Sequence, residues 1–205
     1  MNDLKKESKG KGNTLFPVFF KLEQLHLLVV GGGYVGLEKI SAIYANCPEA
    51  KVTLVAPEIR EEIRMLAESN ENLYLIHRPY QKEDLIGKDL AIAATSFKDL
   101  NREVWQDAKQ QQVLINVADT PDLCDFYLSS VVKKGELKIA VSTNGKSPTF
   151  AKRIREMLED TLPDEIDEVL DNLQKIRNQL KGDFDSKVKK LNEITSVMKE
   201  GKSKE

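Results

Sequence analysis

Three glycines at fixed spacing are the first residues whose types and positions predict chemistry. Gly31, Gly33 and Gly36 follow a continuous apolar run and open a helical pattern, at the spacing G-x-G-x-x-G. In such a turn the first glycine permits the change of direction, the second lets the main chain approach a pyrophosphate, and the third lets the helix pack against its strand. The helix N-terminus adds free N–H groups. The turn therefore predicts a phosphate site, although similar turns occur without a ligand.

The end of the second predicted strand is where a dinucleotide site holds its adenosine ribose. The residues there are Ala56, Pro57 and Glu58, so the acidic residue is displaced past a proline. Either Glu58 or backbone groups would bind the ribose. No arginine is expected at the strand end itself, since Arg60 follows two residues after Glu58, and this favours NAD over NADP. The alternative role of Glu58 is to complement the dipole of the next helix.

Asp119 is the acidic residue best placed for proton transfer. It follows a predicted buried strand in the run Asn116-Val117-Ala118-Asp119. A carboxylate there, close to an oxidisable carbon, would accept the proton that accompanies loss of a hydride. The alternative is that Asp119 caps the turn formed by Pro121 and Asp122.

A polar loop over residues 143–147 opens the first helix of the C-terminal part. Ser147 is predicted to be its N-cap and Pro148 its first residue. Four basic residues crowd this helix start: Lys146, Lys152, Arg153 and Arg155. Such a cluster suits a polycarboxylate ligand, and a solvated basic face is the alternative.

The elements that must position these residues alternate between strand and helix. Strands are predicted over residues 26–30, 52–56, 73–76, 90–94 and 113–117, and Pro57 and Glu58 are expected to close the second. This alternation predicts a doubly wound parallel sheet. The glycine turn, Thr95 and Asp119 all follow strand ends, so we expect them to share one crevice. An apolar segment over 15–20 is expected to form an edge strand or an extended arm.

The pattern changes after residue 129. Residues 130–142 are predicted to form a β-hairpin or two sequential strands, with a turn at Lys134 and Gly135, and helix is predicted from Pro148 onward. Breaks are expected near Leu162-Pro163 and near Gly182, and the last residues, 199–205, should fray. An apolar stripe indicates a core or a subunit interface: Ile166, Val169, Leu170, Leu173, Ile176 and Leu180.

Composition limits the class of protein. The net charge of −2 gives no argument for a nucleic-acid partner, and no apolar run is long enough to cross a membrane. Residues 1–13 are polar and predicted to be a disordered leader. Cys47 and Cys124 form no C-x-x-C pair, which favours a reducing, cytoplasmic compartment. His26 and His77 have no partner at ligand spacing, so no metal site is predicted.

Together these motifs resemble the siroheme-synthase dehydrogenase family of precorrin-2 dehydrogenases, some of which are also sirohydrochlorin ferrochelatases. The likeness covers residues 13–163, and the matching segments are Phe16–Phe19, Val29–Gly36 with Lys39, Val55–Glu58, Ala93–Thr95, Leu100-Asn101, Asn116–Asp119, Phe126, Gly135–Thr143, Gly145–Pro148 and Ala151–Arg155. Three positions depart from the family pattern. Gly36 stands where alanine is usual, Asn144 where many members have glycine, and Thr143 where some have serine.

The resemblance implies NAD-dependent oxidation of precorrin-2 to sirohydrochlorin by a homodimer, with Asp119 as the essential aspartate. It implies a Rossmann-like α/β fold, a small β-containing dimerisation region and helices. We therefore expect four parts: a leader (1–13), an NAD-binding domain (14–118), a dimerisation and substrate region (119–147) and a helical region (148–205). Two alternatives stay open: a bifunctional enzyme that also inserts Fe²⁺ into sirohydrochlorin, and a dinucleotide-sensing module without catalysis.

The residues expected to contact the ligands fall into two sets. The predicted cofactor residues are Gly31, Gly32, Gly33, Tyr34, Val35, Gly36, Ala56, Pro57, Glu58, Ala94 and Thr95. The predicted substrate residues are Thr143, Asn144, Lys146, Ser147, Lys152 and Arg153.

Overall fold

The computed structural model describes residues 12–196. Nearly all of the predicted leader and the predicted frayed end lie outside the described residues. The strands are β1 (His26–Gly32), β2 (Lys51–Ile59), β3 (Leu73–Ile76), β4 (Leu90–Ala93), β5 (Leu114–Val117), β6 (Ser130–Lys134) and β7 (Leu137–Val141). The α-helices are α1 (Tyr34–Asn46), α2 (Glu61–Glu68), α3 (Lys98–Gln110), α4 (Pro148–Thr161), α5 (Ile166–Gln179) and α6 (Phe184–Thr195).

The described chain divides into two compact units. The first contains residues 12–129 and 143–147, and the second contains residues 130–142 and 148–196. The first unit carries β1 to β5 with α1 to α3. The second carries the β6–β7 hairpin and α4 to α6. The four-part division predicted above stays a prediction.

The first unit is a five-stranded parallel sheet in the order β3-β2-β1-β4-β5. This order confirms the predicted doubly wound topology, because the chain runs outward from β1 in both directions. The central strand is buried on both faces. Leu27 and Val29 pack into one core cluster, and Leu28 and Val30 pack into the other, as the two-residue period of a strand requires.

Each face of this sheet is covered by helices with an apolar side. Ile40 of α1 and Ile63 of α2 are fully buried in the cluster on one face, and Val104 and Ala108 of α3 are fully buried in the cluster on the other. At about 25 cal/mol for each Å² of apolar surface removed from water, these two clusters are the main stabilising contribution to the unit.

The strand β2 is longer than predicted. Pro57 and Glu58 were expected to close it, and this expectation is wrong, because β2 runs through both to Ile59. The pairing shifts between Val30 and Gly32, so that Gly32 lies opposite Ile59. Pro57 falls within this irregular stretch, where a missing N–H costs no regular ladder bond. As a result Arg60, and not Glu58, is the first residue after the strand.

The apolar segment over 15–20 forms no strand, so the edge-strand alternative is wrong. The sheet edges are β3 and β5, and all six residues of the segment are exposed. Phe20 nevertheless contacts the body of the unit, with its ring edge-on to that of Phe126 at a centroid distance of 6.5 Å.

The second unit confirms the predicted hairpin and the two predicted helix breaks. β6 and β7 are antiparallel, and Gly135 in their turn has φ +54°. Val132 and Ala151 are buried, and α4 packs on the hairpin. Of the predicted apolar stripe only Ile166 is buried, whereas Val169 and Leu170 are 40% and 37% exposed.

Within residues 12–196, no helix has both the length and the apolar character needed to cross a bilayer.

Candidate functional site

The glycine turn lies at the carboxyl end of β1 and continues into α1. Gly31 has φ +119°, a conformation that favours glycine. A Cβ at Gly36 would lie 2.1 Å from the carbonyl oxygen of Gly31, so the helix start and the strand end are in close contact. A Cβ at Gly33 would meet no heavy atom within 4 Å. The main chain at Gly33 is therefore open to an approaching group, and it fits a pyrophosphate at the helix N-terminus.

The last residues of β2 and the turn after β4 lie directly against this loop. The Cβ position of Gly32 is 2.4 Å from the carbonyl oxygen of Glu58 and 3.1 Å from Ala56 Cβ. That of Gly31 is 2.5 Å from the carbonyl oxygen of Ala94 and 3.1 Å from the amide nitrogen of Thr95. Gly31 and Gly32 thus let three chain segments meet without side chains between them, and most predicted cofactor residues converge here.

The remaining predicted cofactor residues differ in exposure. Tyr34 is 75% exposed, and Pro57 and Glu58 are also exposed, whereas Val35 is half-buried and packs on the core cluster beneath α1. Val35 can therefore contribute only its main chain to a ligand, and its side chain belongs to the core.

Arg60 contacts two side chains, Tyr34 and Glu62, and the sequence pattern predicted neither contact. Its guanidinium carbon lies 3.6 Å from the centroid of the Tyr34 ring, and it donates a hydrogen bond of 2.6 Å to Glu62. The Glu62 carboxylate raises the pKa of the Arg60 guanidinium, and Arg60 in turn lowers the pKa of Glu62. The Arg60 guanidinium and the Glu62 carboxylate are therefore both charged across the ordinary pH range.

Thr95 is held by a buried asparagine. Asn101 is 6% exposed, and its Oδ1 accepts hydrogen bonds from the Thr95 amide (3.2 Å) and from Thr95 Oγ1 (2.7 Å). Its Nδ2 donates to the Thr95 carbonyl oxygen (3.0 Å). Asn101 therefore fixes the turn after β4 in position. It was matched as part of a motif but not predicted as a site residue.

Asp119 lies at the tip of the turn after β5. Its φ is +56°, an uncommon conformation for a residue with a side chain. The Ala118 amide donates to the Ala93 carbonyl oxygen (2.9 Å), which places this turn beside the end of β4. Asp119 is exposed, and among the described residues its carboxylate makes no hydrogen bond or ion pair. The alternative role as a cap is wrong, because the 3₁₀ helix at Pro121–Leu123 has Thr120 as its N-cap and no side-chain cap.

Two polar groups, the buried Asn116 and the half-buried Cys124, support the Asp119 turn. Cys124 Sγ accepts from the Val117 amide (3.2 Å) and lies 3.4 Å from the Thr120 carbonyl oxygen. Asn116 Nδ2 donates to the Phe126 carbonyl oxygen (2.8 Å). Burial raises the pKa of the Cys124 thiol, so this group is a neutral structural thiol. A polar residue inside the apolar strand 114–117 was the sequence signal for Asn116; Cys124 had none.

The loop over 143–147 is a compact turn of the first unit. Thr143 Oγ1 accepts from the Ser147 amide (3.1 Å), and the Lys146 amide donates to the Thr143 carbonyl oxygen (3.1 Å). Asn144 and Gly145 have φ +53° and +74°. Asparagine and glycine are the residues that most readily adopt this conformation, so the turn accommodates both without strain. Lys146 is exposed and forms no ion pair among the described residues.

The other predicted anion-binding residues lie on α4 of the second unit. Lys152 and Arg153 are exposed, and both face Glu156, at 3.8 and 2.7 Å. Arg155 is paired with Glu159 at 3.1 Å. Much of this positive charge is therefore compensated one turn farther along the helix, which weakens the prediction of an anion site made by the helix alone.

In residues 12–196 no group of three or more His, Cys, Asp and Glu side chains is arranged to hold a metal ion. His26 begins β1 and His77 follows β3, where His77 Nε2 lies 3.1 Å from an Arg64 nitrogen.

The parallel sheet, the open glycine turn and the convergent strand ends define a dinucleotide-binding Rossmann protein. A family model described as "Putative NAD(P)-binding" matches residues 18–130, and one described as "Sirohaem biosynthesis protein central" matches residues 134–161. The chain belongs to this NAD(P)-binding family, in the form found at the N-terminus of siroheme synthases.

Similar proteins agree with this family. The siroheme synthase of Psychrobacter arcticus is 36% identical over 176 residues, which cover 86% of this chain and 31% of that protein. The siroheme synthase of Pseudomonas fluorescens is 37% identical over 81% of this chain and 35% of its own length. The chain thus spans about a third of these relatives. A solved structure titled "SirC, precorrin-2 dehydrogenase" superposes with a TM-score of 0.69 at 27% identity, over 88% of this chain and 89% of that one.

Proposed function

We propose that this chain catalyses the NAD-dependent oxidation of precorrin-2 to sirohydrochlorin. The observation that carries the proposal is the exposed Asp119 carboxylate, which has no hydrogen bond or ion pair among the described residues and follows a strand of the same parallel sheet that carries the open glycine turn. Support comes from the precorrin-2 dehydrogenase structure that this chain resembles over nearly its whole length, and from the siroheme synthases of which it matches about a third.

Binding of the cofactor is assigned to the glycine turn and the strand ends beside it. The main chain from Gly31 to Gly36 would bind the pyrophosphate, Glu58 the adenosine ribose, and Thr95 the neighbouring part of the dinucleotide. NAD, when bound, supplies the acceptor for a hydride. The fit rests on the free space in front of Gly33 and on the absence of side chains where Gly31 and Gly32 contact the other turns.

The proton end of the reaction is assigned to Asp119. Oxidation of precorrin-2 removes one hydride and one proton, and a carboxylate oxygen of Asp119 accepts the proton as general base. Since this carboxylate has no hydrogen bond among the described residues, it is available to a substrate, and its release of the proton to water completes the cycle.

The 143–147 loop is assigned to the substrate. Precorrin-2 carries eight carboxylates, and Lys146 is the cation of this loop that no acidic side chain among the described residues compensates. Lys146→Ala should raise the KM for precorrin-2 and leave the Kd for NAD unchanged. Lys51→Ala, at the opposite end of the sheet, is the matched control. Roles in substrate binding for Thr143, Asn144, Ser147, Lys152 and Arg153 stay predictions.

The deciding experiment is anaerobic turnover of precorrin-2 with NAD, followed by absorbance. NADH formation would support the dehydrogenase, and faster uptake of ferrous ion afterwards would show a bifunctional enzyme. NAD binding by calorimetry without NADH formation would replace the dehydrogenase with the dinucleotide-sensing module.

We also propose a homodimer in the cytoplasm. Large apolar side chains of the second unit are exposed, including Met157 (54%) and Phe184 (71%), which favours a protein partner such as a second copy. Neither cysteine is in a disulfide. Light scattering of the purified chain tests the dimer, and a monomer at micromolar concentration would exclude it.

A further inference from the structure

A stacked pair of side chains spans two of the turns at the cofactor site. Tyr34 is the first residue of α1 and follows Gly33 directly, and Arg60 is the first residue after β2. The Arg60 guanidinium lies against the Tyr34 ring at 3.6 Å. The pair therefore joins the two segments that, in a dinucleotide-binding fold, face the pyrophosphate and the adenosine ribose.

The pair is fixed in position. Glu62 holds one edge of the guanidinium at 2.6 Å, and the side chain of Arg60 is only 27% exposed. Its Nε is buried and has no hydrogen-bond partner in the described part of the chain. The Tyr34 ring, in contrast, is 75% exposed although it is packed against a cation. An exposed aromatic ring held this way is unexplained by the packing of the core.

The surroundings of the pair are acidic. Glu62 compensates the charge of Arg60, and the exposed Glu58 lies two residues before it, with its carbonyl oxygen against the glycine turn. A 2′-phosphate brings about two further negative charges to this place. An adenine ring with a plain 2′-hydroxyl brings none.

We infer that the Tyr34–Arg60 pair is the adenine platform of the cofactor site, and that Glu62 tunes it for NAD and against NADP. The inference rests on the proposed function, since it assigns an end of the same cofactor. Adenine stacks on aromatic rings and on guanidinium planes, and the cation beneath the ring keeps the ring at one orientation. Arg60 is thus a cofactor-binding residue. The expectation that no arginine lies at the strand end was wrong, because β2 runs to Ile59 and Arg60 follows it directly.

The test measures the Kd of ADP-ribose and of NAD by calorimetry. ADP-ribose carries the adenosine end without the nicotinamide. Tyr34→Ala and Arg60→Ala should each weaken both ligands about tenfold, the size expected for one stacked base. Tyr34→Phe should keep the wild-type affinity, because phenylalanine keeps the ring. Arg60→Lys should show most of the weakening seen in Arg60→Ala, because a lysine side chain has no planar group on which adenine can stack. Arg64→Ala removes a cation from α2, the helix that Arg60 precedes, without touching Tyr34 and is the control.

A second arm addresses the choice of cofactor. Glu62→Gln should bind NADP more tightly relative to NAD than wild type does, by about tenfold. Turnover at saturating NAD should keep its kcat in the Tyr34 variants, so that only KM for NAD changes. Unchanged ADP-ribose affinity in Tyr34→Ala would overturn the platform, and so would an Arg60→Ala variant that loses NADP affinity but keeps NAD affinity.

The outcome is separable from that of the proposed function. If wild type binds ADP-ribose and NAD but oxidises no precorrin-2, the dehydrogenase is wrong and the platform is still decided by the variants. If wild type oxidises precorrin-2 and the variants bind normally, only the platform is wrong. If wild type binds neither nucleotide, both are wrong.

Discussion

The turn after β1 and the turn after β5 both lie at the carboxyl ends of strands in one parallel sheet, but they are built in opposite ways. The first is shaped by missing side chains, because a Cβ at Gly31 or Gly36 would overlap a neighbouring carbonyl group. The second keeps a side chain in a conformation that usually selects glycine, at Asp119 with φ +56°. The difference indicates that the first turn offers its main chain to a ligand and the second offers a carboxylate.

The two turns are also held in place by different kinds of contact. The glycine turn is held by main-chain contacts with the strand ends beside it. The Asp119 turn depends on side chains, since Cys124 and Asn116 bond the main chain that surrounds it. Substitutions should therefore affect cofactor binding at the first turn and turnover at the second, and the variants of Asp119, Gly33 and Cys124 described below test this separation.

The largest effect is expected for Asp119→Asn. Asparagine tolerates the left-handed conformation, so the turn is kept while the general base is lost. We expect turnover of precorrin-2 to fall by about 100-fold or more, with the Kd for NAD unchanged. Asp122→Asn, three residues farther along the same turn, is the control and should be active. An equal loss of NAD binding and turnover would show that Asp119 is structural.

Gly33→Val should give the next largest effect, at the first turn. The glycine has extended dihedral angles and no heavy atom within 4 Å of its Cβ position, so valine fits the fold. It occupies the approach of the pyrophosphate, and displacing that group by about 1 Å costs on the order of 100-fold. Calorimetry with NAD checks the loss, and thermal unfolding checks that the fold is unchanged. Normal NAD binding by this variant would contradict the assignment of the turn.

Cys124→Ala should act on the second turn alone. Without the thiol, the Val117 amide loses its acceptor, and we expect kcat to fall about tenfold while the Kd for NAD stays the same. Cys47→Ala is the control. A change in NAD affinity equal to the change in kcat would remove the separation between the two turns.

The same thiol predicts a dependence of stability on pH. Burial raises its pKa above the ordinary value, so the folded state favours the neutral thiol. This stabilisation is complete below the ordinary thiol pKa and is lost as the pH rises through the raised value. The free energy of unfolding of wild type, measured in urea, should therefore fall relative to that of Cys124→Ala in alkaline buffer. If the free energy of unfolding of wild type instead rose relative to that of Cys124→Ala with increasing pH, the assignment of Cys124 as a neutral thiol would be wrong.

Asn101→Ala should give the smallest effect on binding. It removes three hydrogen bonds that hold Thr95, and we expect about threefold weaker NAD binding together with a loss of about 1–3 kcal/mol in stability. Gln106→Ala, on the exposed side of the same helix, should change neither quantity. An unchanged stability would show that water replaces the buried amide.

Hydrophobic periodicity predicted the first unit well. The five strands and their parallel arrangement follow from apolar runs that alternate with amphipathic helices, and the spacing of Gly31, Gly33 and Gly36 placed the turn. These signals are local, because each depends on residues close together in the chain. The hairpin at Gly135 and the helix breaks near Pro163 and Gly182 were predictable for the same reason.

Features that depend on particular contacts in the folded chain were not predictable. The bulge that carries β2 through Pro57 is set by pairing with Gly32, and it moved Arg60 to the strand end. The hydrogen bonds between Asn101 and Thr95, and between Cys124 and Val117, form only when the chain has folded. Polar atoms in these places have no periodic signature, since most of their partners are main-chain groups.

The hairpin of the second unit is closed by residues that come well after it. Lys134 forms an ion pair with Asp164, and the Glu136 amide donates to Asp167 at 2.8 Å across 31 residues of chain. The match to the sirohaem central family ends at residue 161, yet these two carboxylates and the buried Ile166 lie beyond it. A fragment designed for expression must therefore extend at least through α5, because an end chosen at the family boundary would leave the hairpin turn without its partners.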